Sequence, residues 1–417
     1  MTTRTRNFRF DTILIHGGTE AGPAGATTVP IVQSSSFAHA TAEELEDIFR
    51  GRRTGQVYTR INNPTTESLE RRLAAIEGGV AALATASGMA AITTAVLTIA
   101  RSGDEILSSS SVFGGTFSLF RDTLANYGIT VRFVDPTDIA AVKDGITERT
   151  RLVFTETIGN PKMDVPDLGA IAAVAREAGI PLLVDATVTT PYLARGRELE
   201  ADIIIHSTSK FINGTGSAIG GAIVDLGTFD WANPKFPHFA EFVRKYRNFA
   251  FAARARKLIH KDFGACAAPM NSFLLAEGVE TLALRMERHC ANALQLARFL
   301  AGHAKVSWVN YPGLPDSPYH AVATRQFGGR YGGILTFGLP DRAASFRFIN
   351  ALTLAKNLAN IGDAKTLVIH PASTICCDYG PEEKALMGVT EETVRVSVGI
   401  EAIDDIVEDF AAALEQA

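Results

Sequence analysis

Leu152-Val153-Phe154-Thr155-Glu156, Pro181-Leu182-Leu183-Val184-Asp185 and Ile203-Ile204-Ile205-His206 follow one another through the middle of the chain. Each is a short, charge-poor run rich in branched aliphatic residues. Each also stops at polar groups that do not belong in a core: Gly159-Asn160-Pro161 after the first, Asp185 itself in the second, Ser207-Thr208-Ser209-Lys210 after the third. Runs of this length, bounded by turn residues, read as strands covered on both faces. In open α/β sheets, ligands sit beyond the carboxyl ends of such strands. Asn160, Asp185, Ser207, Ser209 and Lys210 are therefore expected to converge on one crevice.

Outward from there the pattern repeats. Apolar runs recur near residues 81–84, 105–107, 129–134 and 221–224, and the intervals are long enough for helices. This predicts an α/β fold with a mostly parallel seven-stranded sheet, covered by helices, in a large domain over residues 63–258. Residues 1–62 show little helical period, contain Gly17-Gly18 and Gly22-Pro23, and read as an extended arm with one short helix near residues 42–49. An irregular segment of that length is expected to lie on another subunit or on the main domain. Asn63-Pro64 makes a helix start, Leu69, Leu73 and Ile76 its buried stripe, and Gly78 its stop. Residues 259–417 form a smaller C-terminal α/β domain. It opens with one long helix over 272–300 and carries strand-like runs at 306–309, 334–337, 366–369 and 394–398. It closes with a helix showing Ile403, Ile406, Val407, Phe410 and Leu414 on one face.

Composition narrows the function. With 46% hydrophobic and 20% charged residues, the 417-residue chain has the balance of a globular enzyme. A formal net charge of -5 offers no attraction to nucleic acid or to an acidic membrane surface. The charge-free stretch from Gly78 to Ala100 is rich in Ala, Thr, Ser and Gly and is broken at Ser87-Gly88, so strand, turn and buried helix describe it better than a membrane span. Arg4, Arg6 and Arg9 precede no apolar segment, which excludes a secretory signal and leaves a weak likeness to a transit peptide. Cys266, Cys290, Cys376 and Cys377 have neither zinc-site nor disulfide spacing, and a reducing cytoplasm is expected. His16, His206 and His370 read as satisfied core or strand-end histidines, and no metal is expected.

Four features carry chemistry. Lys210, in a short polar flank ending at Gly214, is either a surface lysine or an amine whose pKa is lowered by desolvation for Schiff-base formation with an aldehyde. Asp185 is either a helix cap or the partner of a buried cation, such as a protonated pyridine nitrogen. Ser87-Gly88-Met89 stands between a strand and a helix, where free backbone N–H groups and the helix dipole suit a phosphate. Arg395, in Val394-Arg395-Val396-Ser397-Val398, is an edge charge or a planar fork for a substrate carboxylate. Gly214-Thr215-Gly216 and Gly220-Gly221 lack the spacing of a dinucleotide fingerprint.

Together these residues resemble the Cys/Met-metabolism family of pyridoxal-phosphate enzymes, the cystathionine γ-synthase type, and within it the O-acetylhomoserine sulfhydrylases. The likeness rests on Tyr58 to Thr65, Ser87 to Ala91, Glu156 to Pro161 and Val184 to Thr187. It continues through Ser207 to Lys210, Glu277 to Leu282, His370 to Thr374 and Val394 to Glu401, nearly end to end. The resemblance implies the pyridoxal-phosphate-dependent transferase fold, type I. It implies that Lys210 carries the cofactor as a Schiff base and that Asp185 holds its ring nitrogen. Ser87, Gly88, Met89, Ser207 and Ser209 hold the phosphate. Tyr58 and Arg60 reach the phosphate of the neighbouring subunit in a dimer with shared active sites, dimers pair into tetramers, and the arm lies across the partner. Asn160, Ser373 and Arg395 meet the substrate, its carboxylate or the cofactor's phenolic oxygen, with Tyr58 also near the substrate.

Three departures from the family pattern bear on the substrate. Phe113 stands where a tyrosine commonly stacks on the cofactor, Ile375-Cys376-Cys377 replaces Thr-His after Ser373-Thr374, and Thr215 replaces a histidine. Phe113, Thr215 and Cys376 are therefore expected to decide the substrate, with the two cysteines as pocket wall. The implied reaction is γ-replacement on an O-acylhomoserine, O-acetyl-L-homoserine in the first instance, by sulfide or a thiol to give homocysteine or a relative. The alternatives are a methionine γ-lyase or cystathionine lyase type of elimination, substitution by a carbon nucleophile, and a non-catalytic homologue.

Overall fold

The structure, a computed structural model, describes residues 8–18 and 25–417; Arg4, Arg6 and Gly22-Pro23 lie outside the described residues. Seven strands form the first sheet: β1 Ala81–Thr85, β2 Glu105–Ser109, β3 Thr130–Val134, β4 Thr150–Glu156, β5 Leu182–Asp185, β6 Ile203–His206 and β7 Gly221–Asp225. Their order is β1-β7-β6-β5-β4-β2-β3, with β7 antiparallel to both neighbours and the remaining pairs parallel. Every residue of β5 and β6 is buried, whereas the edge strand β3 has none buried. That contrast accounts for the continuous apolar runs at the sheet centre. Chain order reverses between β2 and β4, and a ligand crevice belongs at that switch point.

The arm carries two helices, α1 Phe10–His16 and α2 Ala42–Phe49. The first was not expected. It is only seven residues long, and it is held by tertiary contact: Leu14 is buried, and the helix packs against α3 Pro64–Glu77. Helix α3 begins as read from the sequence, with the Asn63 side chain accepting from Thr65 N–H and Pro64 in the first turn. It ends at Gly78, whose φ of 72° is left-handed. Helix α4 Gly88–Ile99 follows β1, is capped by Ser87, and packs on β6 and β7. Helix α5 Leu168–Glu177 precedes β5.

The single helix expected over residues 272–300 is two: α6 Pro269–Glu280 and α7 Leu282–Ala301, broken at Thr281. The Gly278 carbonyl, which would serve residue 282 in an unbroken helix, receives the Arg285 guanidinium (2.5 Å). Arg285 also donates to the carbonyls of Phe211 (2.5 Å) and Ile212 (3.0 Å), so the break ties α6 and α7 to the loop that follows Lys210.

The second sheet contains β8 Trp308–Asn310, β9 Ile334–Gly338, β10 Lys356–Asn357, β11 Leu367–Ile369 and β12 Thr393–Ser397 in the order β10-β11-β12-β9-β8. Only β10, two exposed residues with no apolar pattern, was not foreseen. The last helix, α8 Ile403–Glu415, buries Ile406, Phe410 and Leu414. Two hydrophobic cores part inside α7: Leu282, Met286 and Cys290 belong to the first, Ala293, Leu296 and Leu300 to the second.

Candidate active site

The carboxyl ends of the central strands open into a cavity of about 510 Å³. Ser87, Gly88, Met89, Phe113, Asn160, Asp185, Ser207, Ser209, Lys210 and Arg395, all singled out from the sequence, line it. They come from the turn after β1, the segments after β2 and β4, the end of β5, the loop after β6, and β12 in the second sheet.

At one end, the Ser87 hydroxyl accepts from Ala90 N–H at 3.1 Å and caps α4. This leaves the first backbone N–H groups of the helix without intrahelical partners. A Cβ added to Gly88 would stand 2.6 Å from Ser207 Cβ, so the turn after β1 touches the loop after β6 and only glycine fits between them. The Ser209 hydroxyl is engaged on both sides by Gly220, donating to its carbonyl (3.0 Å) and accepting from its N–H (2.9 Å).

Lys210 Nζ donates to Asn360 Oδ1. Burial, reinforced by the positive charge of Arg395, lowers its pKa to about 8. Arg395 sits in the middle of the second sheet, paired with Ile369 and Thr336, and is 3% exposed. Its Nη1 donates to Asn160 Oδ1 (3.0 Å) and its Nη2 to the Asn360 carbonyl (3.2 Å). Burial lowers its pKa to about 10. Asn360 thus touches both cations, a position its sequence context did not reveal.

Two carboxyls face the same space. Asp185 Oδ1 accepts from Thr187 N–H (2.9 Å), and burial raises its pKa. Glu156 Oε1 accepts from Phe113 N–H (2.6 Å). No lysine or arginine neutralises either of them among the described residues. The Phe113 ring is 39% exposed at the cavity.

Three expected residues lie elsewhere. Ser373 pairs with His370 Nδ1 (2.8 Å) and is not part of the cavity lining. Tyr58 is 42% exposed, with Arg60 over its ring and Arg60 Nη1 donating to the Lys261 carbonyl (2.6 Å). Both stand outside the cavity of their own chain. Of the departures, Phe113 faces the cavity but Thr215 and Cys376 do not: Thr215 turns to Asn213 and Ser217, while Ile375 and Gly216 supply the wall instead. Cys376 is buried, which pushes its thiol up to about 11 and leaves it inert. His206 is a buried histidine that is only half satisfied: its Nε2 pairs with the buried Glu77 at 2.6 Å, while its Nδ1 has no hydrogen-bond partner among the described residues.

An α/β sheet whose strand ends present a lysine, a carboxyl, a helix N-terminus and a guanidinium to one cavity defines a cofactor-dependent enzyme of amino-acid chemistry. The chain belongs to the Cys/Met metabolism PLP-dependent enzyme family, whose model matches residues 11–415. It is 43% identical to an O-acetyl-L-homoserine sulfhydrylase of Leptospira meyeri, across 98% of this chain and 97% of that one. It is 45% identical to a homocysteine synthase of Schizosaccharomyces pombe, across 98% of each. A 2.35 Å crystal structure from Campylobacter jejuni, described as an O-acetylhomoserine (thiol)-lyase holding an N'-pyridoxyl-lysine-5'-monophosphate, superposes with a TM-score of 0.91. That chain is 33% identical, and the match covers 98% of this chain and all of the other.

The cofactor is pyridoxal 5'-phosphate, and the donor set fits it. A neutralisable amine, a buried carboxyl with no lysine or arginine beside it among the described residues, and helix N–H groups beside a glycine-only contact are the groups that an aldehyde, a ring nitrogen and a phosphate require.

Proposed function

We propose that this enzyme replaces the acetoxy group of O-acetyl-L-homoserine with sulfide, releasing acetate and giving homocysteine. The observation that carries this reading is the meeting of Lys210, Asp185 and Arg395 in one cavity, in a chain 45% identical to a homocysteine synthase. In it, Lys210 holds the cofactor's aldehyde carbon and Asp185 its ring nitrogen. Ser87, Gly88, Met89, Ser207 and Ser209 hold its phosphate, Phe113 covers its ring, and Asn160 meets its phenolic oxygen. Bound there, the cofactor supplies the electron sink that lets an α-proton leave.

Arg395 anchors the substrate α-carboxylate as a two-pronged donor, with Asn360 beside it. Lys210, as a free neutral amine, takes the α-proton, passes it to the carbon that had been the bound cofactor's aldehyde, and, neutral again, takes a β-proton. Acetate leaves the γ-carbon with its bonding pair, and hydrosulfide adds there. Lys210 returns the protons to the α- and β-carbons. Acetate departs without protonation, so Phe113, which has no hydroxyl, is adequate; a thiol leaving group would need the missing proton. That preference ranks replacement above elimination from methionine.

The same reading extends to the assembly. Tyr58 and Arg60, outside their own cavity, complete the phosphate site of a partner in a dimer, Tyr58 also nearing the substrate, and dimers pair into tetramers. Residues 1–62 are the arm, 63–258 the large domain and 259–417 the small one. Four unpaired cysteines suit work in the reducing cytoplasm. The test is turnover by the purified, cofactor-loaded protein. Homocysteine formed from O-acetyl-L-homoserine and sulfide is expected; 2-oxobutyrate and methanethiol formed faster from L-methionine would overturn the proposal.

A further inference from the structure

Glu156 has no part in that chemistry, yet it lines the same cavity. It ends β4, and its Cα is in register with that of Asp185 on β5. Residues paired across neighbouring strands project to one face, so both carboxyls enter from the same side. The groups facing Glu156 are mostly acidic: Asp185 from β5 and Asp164 from the segment after β4. Asp164 in turn pairs with Lys162 (3.5 Å), which also reaches Asp135 (3.3 Å). Lys210 and Arg395 donate to Asn360 and Asn160. A protonated ring nitrogen brings one positive charge to two buried carboxyls, and two such groups do not both ionise readily. Asp185, whose Oδ1 already accepts from the Thr187 N–H (2.9 Å), is the one left to ionise. Burial, followed by the charge of Asp185, favours the acid form of Glu156.

We propose that Glu156 is a positioning residue held in its acid form. Its carbonyl oxygen fixes the Phe113 N–H, and with it the ring that covers the cofactor. Its neutrality leaves Asp185 as the single anion for the ring nitrogen. This rests on the placement of pyridoxal phosphate given above.

Glu156→Gln preserves a neutral acceptor; Glu156→Ala removes it. Cofactor affinity measured by titrating each apoprotein with pyridoxal phosphate is expected to stay within about twofold of wild type in E156Q and to fall by roughly tenfold or more in E156A. The visible cofactor band of E156Q is expected to titrate with pH as in wild type. The infrared difference spectrum of wild-type minus E156Q protein at neutral pH is expected to show the carbonyl stretch of an un-ionised carboxylic acid. This last measurement holds even if E156A does not fold. A normal wild-type band with E156Q as impaired as E156A, or an ionised-carboxylate signature in the difference spectrum, overturns this inference alone. Absence of the band from wild-type protein overturns the cofactor placement, and this inference with it.

Discussion

Lys210 and Arg395 share a cavity in which burial, and then the charge of Arg395, makes the lysine's charge costly. With the lysine at about pH 8 for half-protonation, more of it is neutral as pH rises, and only the neutral amine attacks an aldehyde. The rate at which apoprotein combines with pyridoxal phosphate is expected to climb about tenfold per pH unit below that value and to level off above it. Stopped-flow absorbance checks this; a rate still climbing past pH 10 would contradict the placement. Arg395→Ala is expected to lower kcat/KM for the amino-acid substrate by roughly a hundredfold or more, about 3 kcal/mol for a lost charged, two-pronged contact, mostly through KM. Lys210, Asp185 and Arg395 were legible in the sequence because each is a polar residue in or just beyond an apolar strand. Asn360 was not. It lies in Leu358-Ala359-Asn360-Ile361, a stretch with no period, and only the approach of the second sheet brings it against Lys210. Ser373 shows the reverse: a motif match marked it, and His370 occupies its hydroxyl.

Elements were read most accurately where local chemistry and burial agree. Helix α3 has its cap, first-turn proline and left-handed glycine stop in the sequence itself. Helix α1 and the break at Thr281 have no such signal, because a contact with α3 makes one and the Arg285 guanidinium accompanies the other. The turn from β1 into α4 is a test of an element acting as a site. Gly88→Ala would press a methyl group onto Ser207. The turn after β1 and the loop after β6 must then separate; if they hold the cofactor's phosphate as proposed, cofactor affinity is expected to fall by roughly tenfold or more while α4 itself, relieved of a helical glycine, does not weaken. Cofactor titration beside a thermal melt of the apoprotein separates the two effects.

At the scale of the whole molecule, the cavity is built from both sheets, and the proposed assembly adds a second chain. If Tyr58 and Arg60 serve a partner's site, a Lys210→Ala subunit and an Arg60→Ala subunit, each inactive alone, complement each other. Random mixing gives heterodimers as half of all dimers, each with one intact site, so activity is expected to recover to about a quarter of wild type. No recovery after denaturation and refolding of the mixture would place both residues in their own subunit's chemistry. The two hydrophobic cores meet along α7, so that helix carries the second sheet, and with it Arg395, to the first.

By itself, the sequence determined the order of the strands along the chain, the class of cofactor and the polar groups at the strand ends. These follow from short-range pattern: period, caps, turn residues and the cost of leaving a charge in an apolar run. Only the tertiary structure decided which of those groups meet. Arg395 and Asn360 approach Lys210 from far along the chain, Glu156 and Asp185 become neighbours through strand register, and Ile375 rather than Cys376 forms the wall. Contacts of that kind depend on how two sheets dock and on which residues pair across strands, and no local pattern encodes either one.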